Sequence, residues 1–533
     1  DGIRIWTSGF ADRIVIDGTH ERAGVRTTTW LNTGLGDDHV TVNLTAGQDG
    51  FFVLNTQGQN DNLLDLTADL DDGDEPVAAD RVVSVVVNGT TIDPARYSVS
   101  SRLDLIGLFD SLVPGDSVVV TLHLTSWTVQ STGSFDLGTL TGLVGYRVWV
   151  NGRLLDASEV TLAGTLLTFA APNQRASEGV VVPAHVVVEV TRTSTQTFVM
   201  PASGAILPVG VTDDDTVIGN ASTLPLIIFG GYGSDDLRGG QGADVIFGDR
   251  GLVQWHAGGV LVAQSGNGGV DDFTDGVVRP STLITVRDNH LGGSDTIRGL
   301  GGEDVLIGGT EGDRIDGNDG RDLIFGDNVL LDRRTTLGNH TNPRFRVLSG
   351  SQMYSTDGSA TNGAAQITVA WQNDPAGATA WSDFRITLLD HADDTPADRY
   401  GDDYIAGGAH DDIIFGQLGD DVIQGDGSID VDDTQDADVS AGRNDDGLLV
   451  VNPSFEAATD GDDYIEGGGG TDTIFGNLGR DDIIGGSSGL FSLTTPAQRP
   501  DGEDLIFGGA GTRVGRNNDD VSDDEDWTTV DGA

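Results

Sequence analysis

Asp295, Asp304, Asp313 and Asp322 stand nine residues apart, and Ile297, Leu306, Ile315 and Ile324 follow each of them by two. Little but glycine and further acids lies between. Nine residues accommodate one tight turn and one short strand. The Gly-rich half suits a turn that needs positive φ or close backbone approach. The Asp-x-Ile half suits a strand whose aliphatic side chain points inward. Two such units close a coil with a strand on each side, and successive coils stack at ~4.8 Å, the ordinary spacing between paired strands. One aliphatic residue per strand makes a thin core, too little to offset the entropy that so many glycines lose on folding. Something else must hold the turns together.

Asp residues two units apart fall in adjacent coils: Asp295 with Asp313, Asp304 with Asp322, Asp403 with Asp421, and Asp463 with Asp481. Columns of like charge push the coils apart, whereas a hard divalent cation between them turns that repulsion into a bond. Ca2+ suits an all-oxygen site of carboxylates and turn carbonyls, taking six to eight ligands in flexible geometry. Mg2+ demands strict octahedral geometry and keeps its water. The whole chain has 84 acidic and 29 basic residues, every base an Arg, for a formal charge of −55. That charge disfavours nucleic acid and anionic membranes as partners. It fits either a solvated acidic surface or specific cation sites, and the regular spacing favours the sites. There is no Cys, so neither disulfides nor thiolate–metal bonds hold the fold. No run approaches the ~18 apolar residues of a membrane helix.

The nonapeptide recurs in blocks at 230–249, 292–327, 400–426 and 460–486, with a single unit at 502–509 and a degenerate one, DDTVIG, at 214–219. Insertions lie between them at about 250–289, 328–397, 427–458 and 487–501. Three blocks end on a shared phrase: FGDR (247–250), FGDN (325–328) and QGDG (424–427). Either each block is a short roll of its own, or the insertions are loops from one continuous roll of roughly six or seven coils. The shared exit phrase favours the continuous form.

The units GGYGSDDLR (230–238) and GGQGADVIF (239–247) resemble the RTX, or hemolysin-type, calcium-binding repeat GGxGxDxUx at every defined position, U being a large aliphatic. That resemblance implies a parallel β-roll whose calcium ions are held by the repeat Asp and by carbonyls of the Gly-rich turns. Carried over position by position, the metal ligands are Asp235, Asp244, Asp295, Asp304, Asp313, Asp322, Asp403, Asp412, Asp421, Asp463, Asp472 and Asp481, with Asp504 in the isolated last unit. Two units depart from the pattern, Glu311 and His410 replacing the glycine at the fourth position. The ends of a block lack a next-coil partner within it, which puts Asp235 and Asp504 in doubt as sites if the blocks are separate.

Two further repeats precede the blocks. LNTGLGDDHVTV (31–42) aligns with LNTQGQNDNLLDL (54–66), placing Asp38 over Asp61, a length that suits a solenoid coil. SVVVNGTTID (84–93) matches RVWVNGRLLD (147–156), each with β-branched alternation broken by Asn-Gly, a strong hairpin signal. The expected architecture is all-β: a short solenoid-like segment over 1–76, antiparallel β modules at 77–128 and 129–203, an RTX-type parallel β-roll with β insertions over 204–509, and an acidic tail at 510–533. The chain begins at Asp1 and reads as a processed product or an excerpt.

No catalytic residue is expected. HExxH and Walker patterns are absent, and the single GxSxG string, GGSSG at 485–489, lies at the end of a block without the strand–turn–helix context of a nucleophile elbow. Trp371 and Trp381 could line a sugar site, but aromatic residues in a β insertion more often form its core. The expected function is structural: an extracellular or cell-surface bacterial protein that folds on binding several calcium ions. Partnering then means a homo-oligomer, filament or lattice, as in surface layers and adhesins. The resemblance adds export through a type I channel. The alternatives are an adhesive module for a carbohydrate or surface ligand, and an accessory region of a secreted enzyme or toxin.

Overall fold

The computed structural model describes most of residues 2–56, 82–199, 213–333 and 379–515, with a few short strands outside them. Its centre is a roll of two ten-stranded sheets, parallel throughout. One runs from Gly2–Trp6 through Thr28–Asn32 and Phe51–Asn55, then Leu226–Phe229 and onward to Tyr464–Gly469 and Asp482–Ile484. The other runs from Arg13–Ile16 through His39–Val42 and Thr216–Ile218 to Thr473–Phe475 and Leu505–Phe507. The roll is therefore continuous across every insertion. At ~4.8 Å per strand its length is roughly 43 Å.

Segment 1–76, set apart in the sequence, does not stand alone: its described strands are the first rungs of both sheets. The coil repeat is seen directly, since Leu31 pairs with Leu54 and Asn32 with Asn55. Asn55 Nδ2 donates to Asn32 Oδ1 at 3.0 Å, so an amide ladder joins these early coils. Asp61 lies outside the described residues. The roll has more coils than the six or seven expected because these early units lie outside the nonapeptide blocks. The one at Asp38 keeps only Gly34 and Gly36 of the pattern and has no full unit beside it.

The β modules also depart from the expected tandem pair. Their two long strands, Ser117–Gln130 and Val186–Val199, pair antiparallel over their full length and place both modules in one six-stranded sheet. The Asn-Gly turns form as expected. Asn88 and Asn151 hold φ of 47° and 52°, followed by Gly89 and Gly152 at 80° and 79°. Both central residues of such a turn require positive φ, which Asn and Gly tolerate best.

The interior of the roll is the column of U residues. Ile297, Leu306, Ile315, Ile324, Ile405, Ile414, Ile423, Ile465 and Ile474 are fully buried in one cluster. A second core covers the outer face of the first sheet, where Phe229 stacks on Phe247 and Phe325 on Phe415. The insertions near 250–289 and 328–397 together build a six-stranded antiparallel sheet that packs Trp255, Ile284, Leu331 and Ile386 over those rings. Trp381 belongs to this core and donates its indole N–H to the Arg321 carbonyl at 2.9 Å. Trp371 lies outside the described residues.

Glu311 and His410 hold φ of 60° and 82°, a region that costs an L residue about 1 kcal/mol or more. Glu311→Gly and His410→Gly are each expected to stabilise the calcium-loaded roll by about 1 kcal/mol, read as a higher melting temperature.

Candidate calcium sites

Each repeat Asp sits immediately before its strand, at the end of a turn whose first glycine carries no side chain. The turn therefore packs flat against the next coil and brings successive Asp residues into contact. All thirteen sequence-predicted ligands fall into two columns, one along each sheet. On the second sheet, the backbone N–H of Asp235 donates to Asp295 Oδ1 at 2.8 Å, Asp295 to Asp313 at 2.8 Å, and Asp313 to Asp403 at 2.8 Å. The column goes on from Asp403 to Asp421, Asp472 and Asp504, at 2.9, 3.0 and 3.1 Å. On the first sheet the order is Asp244, Asp304, Asp322, Asp412, Asp463 and Asp481, with the same donation at 2.7 to 3.2 Å. The four sequence-paired neighbours are neighbours here, and the columns also run unbroken across the insertions. Asp235 is internal rather than terminal, because Asp215 N–H donates to it at 2.7 Å.

While Oδ1 accepts this bond, Oδ2 does not. In Asp235, Asp295, Asp304, Asp313, Asp322, Asp403, Asp412, Asp421, Asp463 and Asp472, Oδ2 is buried and accepts no hydrogen bond from the protein. An orphaned buried carboxylate oxygen is costly. Each Oδ2 lies beside a carbonyl from the next coil. A methyl placed on Gly299 would lie 2.5 Å from Asp304 Oδ2 and 2.8 Å from the Gly317 carbonyl oxygen. One on Gly239 would lie 2.5 Å from Asp244 Oδ2 and 2.7 Å from the Gly299 oxygen. The same crowding of carboxylate and carbonyl recurs at Gly248, Gly308, Gly326, Gly416 and Gly467. At the orphaned carboxylates the facing polar atoms are oxygens, all negative or partially negative, which is the donor set of a hard divalent cation. Asp244 differs in that its Oδ2 accepts the Gly240 N–H at 2.6 Å.

The electrostatics agree. Burial first, and neighbouring carboxylates second, push Asp235, Asp295, Asp304, Asp313, Asp412 and Asp421 well above the ordinary carboxylate range. Burial alone pushes Asp244 up to about 7, and burial then Asp504 pushes Asp472 up to about 7. Such carboxylates need a cation or a proton. Among the described residues no group of three or more His, Asp or Glu converges on one point. The cradles take one carboxylate from a coil and complete the donor set with backbone.

Sequence reasoning missed two kinds of residue. Asp38 and Asp215 extend the second column toward the N-terminus, Asp38 N–H donating to Asp215 Oδ1 at 2.7 Å. Their signal was the Asp-x-Val pattern at Asp38/Val40 and Asp215/Val217. The others are Asp249, Asp327 and Asp426, the acids of the shared exit phrase. Each stands at the second position of a nonapeptide, and the unit resumes at its fourth position with Gly293, Gly401 or Gly461. Every one of these three insertions thus takes the place of a single residue, the third of a turn. The exit Asp accepts the returning glycine's N–H at 3.0, 3.1 and 2.8 Å respectively, closing the splice.

The GxSxG serine, Ser487, meets His391 Nε2 at 3.2 Å, but the other imidazole nitrogen is on the Gln498 carbonyl rather than a carboxylate. Burial holds His391 down at about 4, and the adjacent Ser488 N–H is taken by Glu466. These bonds tie the insertion near 328–397 to the one at 487–501.

Two unbroken parallel sheets closed by carboxylate–carbonyl turns define a calcium-binding β-roll. Comparison with protein-family models agrees: the RTX calcium-binding nonapeptide repeat is found four times, at residues 227–251, 291–324, 399–431 and 458–488. Proteins with this repeat bind calcium and are typically secreted by bacteria. A search of curated proteins gives no match. Among the described residues no helix is long and apolar enough to cross a membrane.

Proposed function

We propose that this chain is an extracellular structural protein that folds when calcium fills the two Asp columns, and that it self-assembles end to end as a building block of a surface layer, filament or adhesin. Low intracellular calcium leaves the carboxylates repelling one another and keeps the roll unfolded for type I export. Millimolar calcium outside then condenses it, because binding free energy here is folding free energy. The reading includes no catalytic role.

The observation that carries it is the row of buried, unpartnered Oδ2 atoms facing turn carbonyls. Assembly is supported by the ends of the roll. Both sheets begin and finish at the same ends, where among the described residues a strand edge lacks a neighbour in its own sheet and favours pairing with another chain. At the C-terminal end Ile506, the inward residue of its strand, is 48% exposed, and at the N-terminal end Ile3 and Val15 are 52% and 55% exposed. Arg4 and Arg13 lie on the first strands, Asp482 on a last strand and Glu503 beside the other, a complementary pairing for head-to-tail contact.

Analytical ultracentrifugation of calcium-loaded protein is the test. Mass should grow with concentration, and Arg13→Glu should suppress that growth. A strictly monomeric protein at high concentration contradicts assembly and leaves a monomeric adhesive module as the better reading.

A further inference from the structure

The three splice acids are not equivalent. Asp249 accepts Gly293 N–H at Oδ1 and Thr310 N–H at Oδ2, at 3.0 and 2.5 Å. Asp327 does the same with Gly401 and Leu418, at 3.1 and 2.9 Å. In both, one oxygen holds the returning chain and the other holds the third residue of the neighbouring turn. These two are clamps, and their hydrogen bonds account for them.

At the third splice the pattern breaks. Asp426 Oδ1 holds Gly461 N–H at 2.8 Å, but the matching N–H of the neighbouring turn, Leu478, donates instead to Asp460 Oδ2 at 3.3 Å. Asp426 Oδ2 is left buried with no hydrogen bond from the protein, in a residue with 0% exposure. The repeat Asp of the same turn, Asp463, is also at 0% exposure with Oδ2 unpartnered. The charge of Asp426 acts on Asp463, and Asp481 of the next coil acts on both. Among the described residues every other repeat turn offers at most one orphaned carboxylate oxygen, whereas this turn offers two.

The geometry points to Asp426 as an additional calcium ligand, making the turn Gly425–Asp426/Gly461–Asp463 the tightest cation site of the roll. Calcium affinity rises with the number of charged ligands and the rigidity of their setting. A second buried carboxylate raises the first, and one buried out of water holds its cation more tightly than an exposed one. The position matters for folding as well. The ion would fasten outgoing and returning chain at the root of the insertion, at a separation of 35 residues. Closing that loop is an entropic cost that the contiguous turns do not bear.

This inference rests on the columns holding calcium at all, and one experiment separates the two claims. Calcium binding to the full chain is measured at equilibrium, with bound ions counted on protein that has the wild-type far-UV signal at saturating calcium. Asp426→Asn keeps the Oδ1 acceptor for Gly461 and removes only the orphaned oxygen. The tightest class of sites is expected to weaken by at least about tenfold while the remaining ions stay bound. Asp327→Asn, which breaks a backbone bond, is expected to lower stability and leave the tight class in place. Hydrogen exchange on the wild-type chain supplies a reading independent of any variant. Amides of 460–464 should become protected at lower calcium than those of 400–404. An unchanged tight class in Asp426→Asn, or simultaneous protection of the two turns, overturns the assignment. Absence of bound calcium in the wild type sinks the function itself instead.

Discussion

Without calcium, the roll should fold in acid and unfold as the solution is neutralised, the reverse of its behaviour with calcium. Burial holds Asp38, Asp244 and Asp472 at about 7 and, with Asp213, pushes Asp215 up to about 10. Asp295, Asp313 and Asp403 are likewise raised well above the ordinary carboxylate range, by burial first and then by neighbouring acids. In the unfolded chain such groups titrate near 3.9. Between about pH 4 and 7 the folded state therefore binds protons that the unfolded state has released, so stability falls as pH rises. The calcium-free fold is strongest below about pH 4. It loses stability through pH 7 and beyond, as each proton is given up into a column of like charge. Bound calcium replaces the protons, so the loaded fold is strongest near neutrality and weakens as acid competes for the carboxylates. Circular dichroism against pH, with and without a chelator, should give two curves that cross. Parallel curves would mean that the buried carboxylates are not the cation sites.

The second large effect concerns a glycine. Gly299→Val should abolish one site and destabilise the calcium-loaded roll by more than the about 1–3 kcal/mol of ordinary overpacking. The new Cβ would lie 2.5 Å from Asp304 Oδ2 and 2.8 Å from the Gly317 oxygen, both inside any real carbon–oxygen contact. The cradle oxygens must separate or the coils must. A count of bound calcium should fall, and the denaturation midpoint with it. Gly442→Ala serves as control: it lies in the strand Ser440–Arg443 with nothing within 4 Å of its Cβ position, and a change within about 0.5 kcal/mol is expected. Equal effects at the two positions would remove the cradle from the account.

The parts of this fold that were legible in the sequence are those written at short range. Asp295 and Asp313 differ by two units, and their contact follows from strand spacing alone. The Asn-Gly hairpins at Asn88 and Asn151 were equally local. What could not be read was pairing across long intervals. Asp38 meets Asp215 at a separation of 177 residues. Gly34 and Gly36 stand where a nonapeptide turn has two of its glycines, but no full unit adjoins them to mark this coil as part of the same roll. The two long module strands pair with each other because antiparallel register depends on the whole sheet, which no single hairpin specifies. The splice acids lay between these cases. Asp249, Asp327 and Asp426 repeat visibly in the exit phrase. Their role, however, appears only once the returning Gly293, Gly401 and Gly461 are brought back beside them.

The central claim is that cations complete the turns. Its most direct test is a calcium titration of chelator-stripped protein at neutral pH, following far-UV circular dichroism and counting bound ions together. A cooperative gain of β signal, rising in step with the binding of several calcium ions per chain, is the expected result. A chain already fully β-structured in chelator at neutral pH, or one that takes up calcium without any change in that signal, would contradict it.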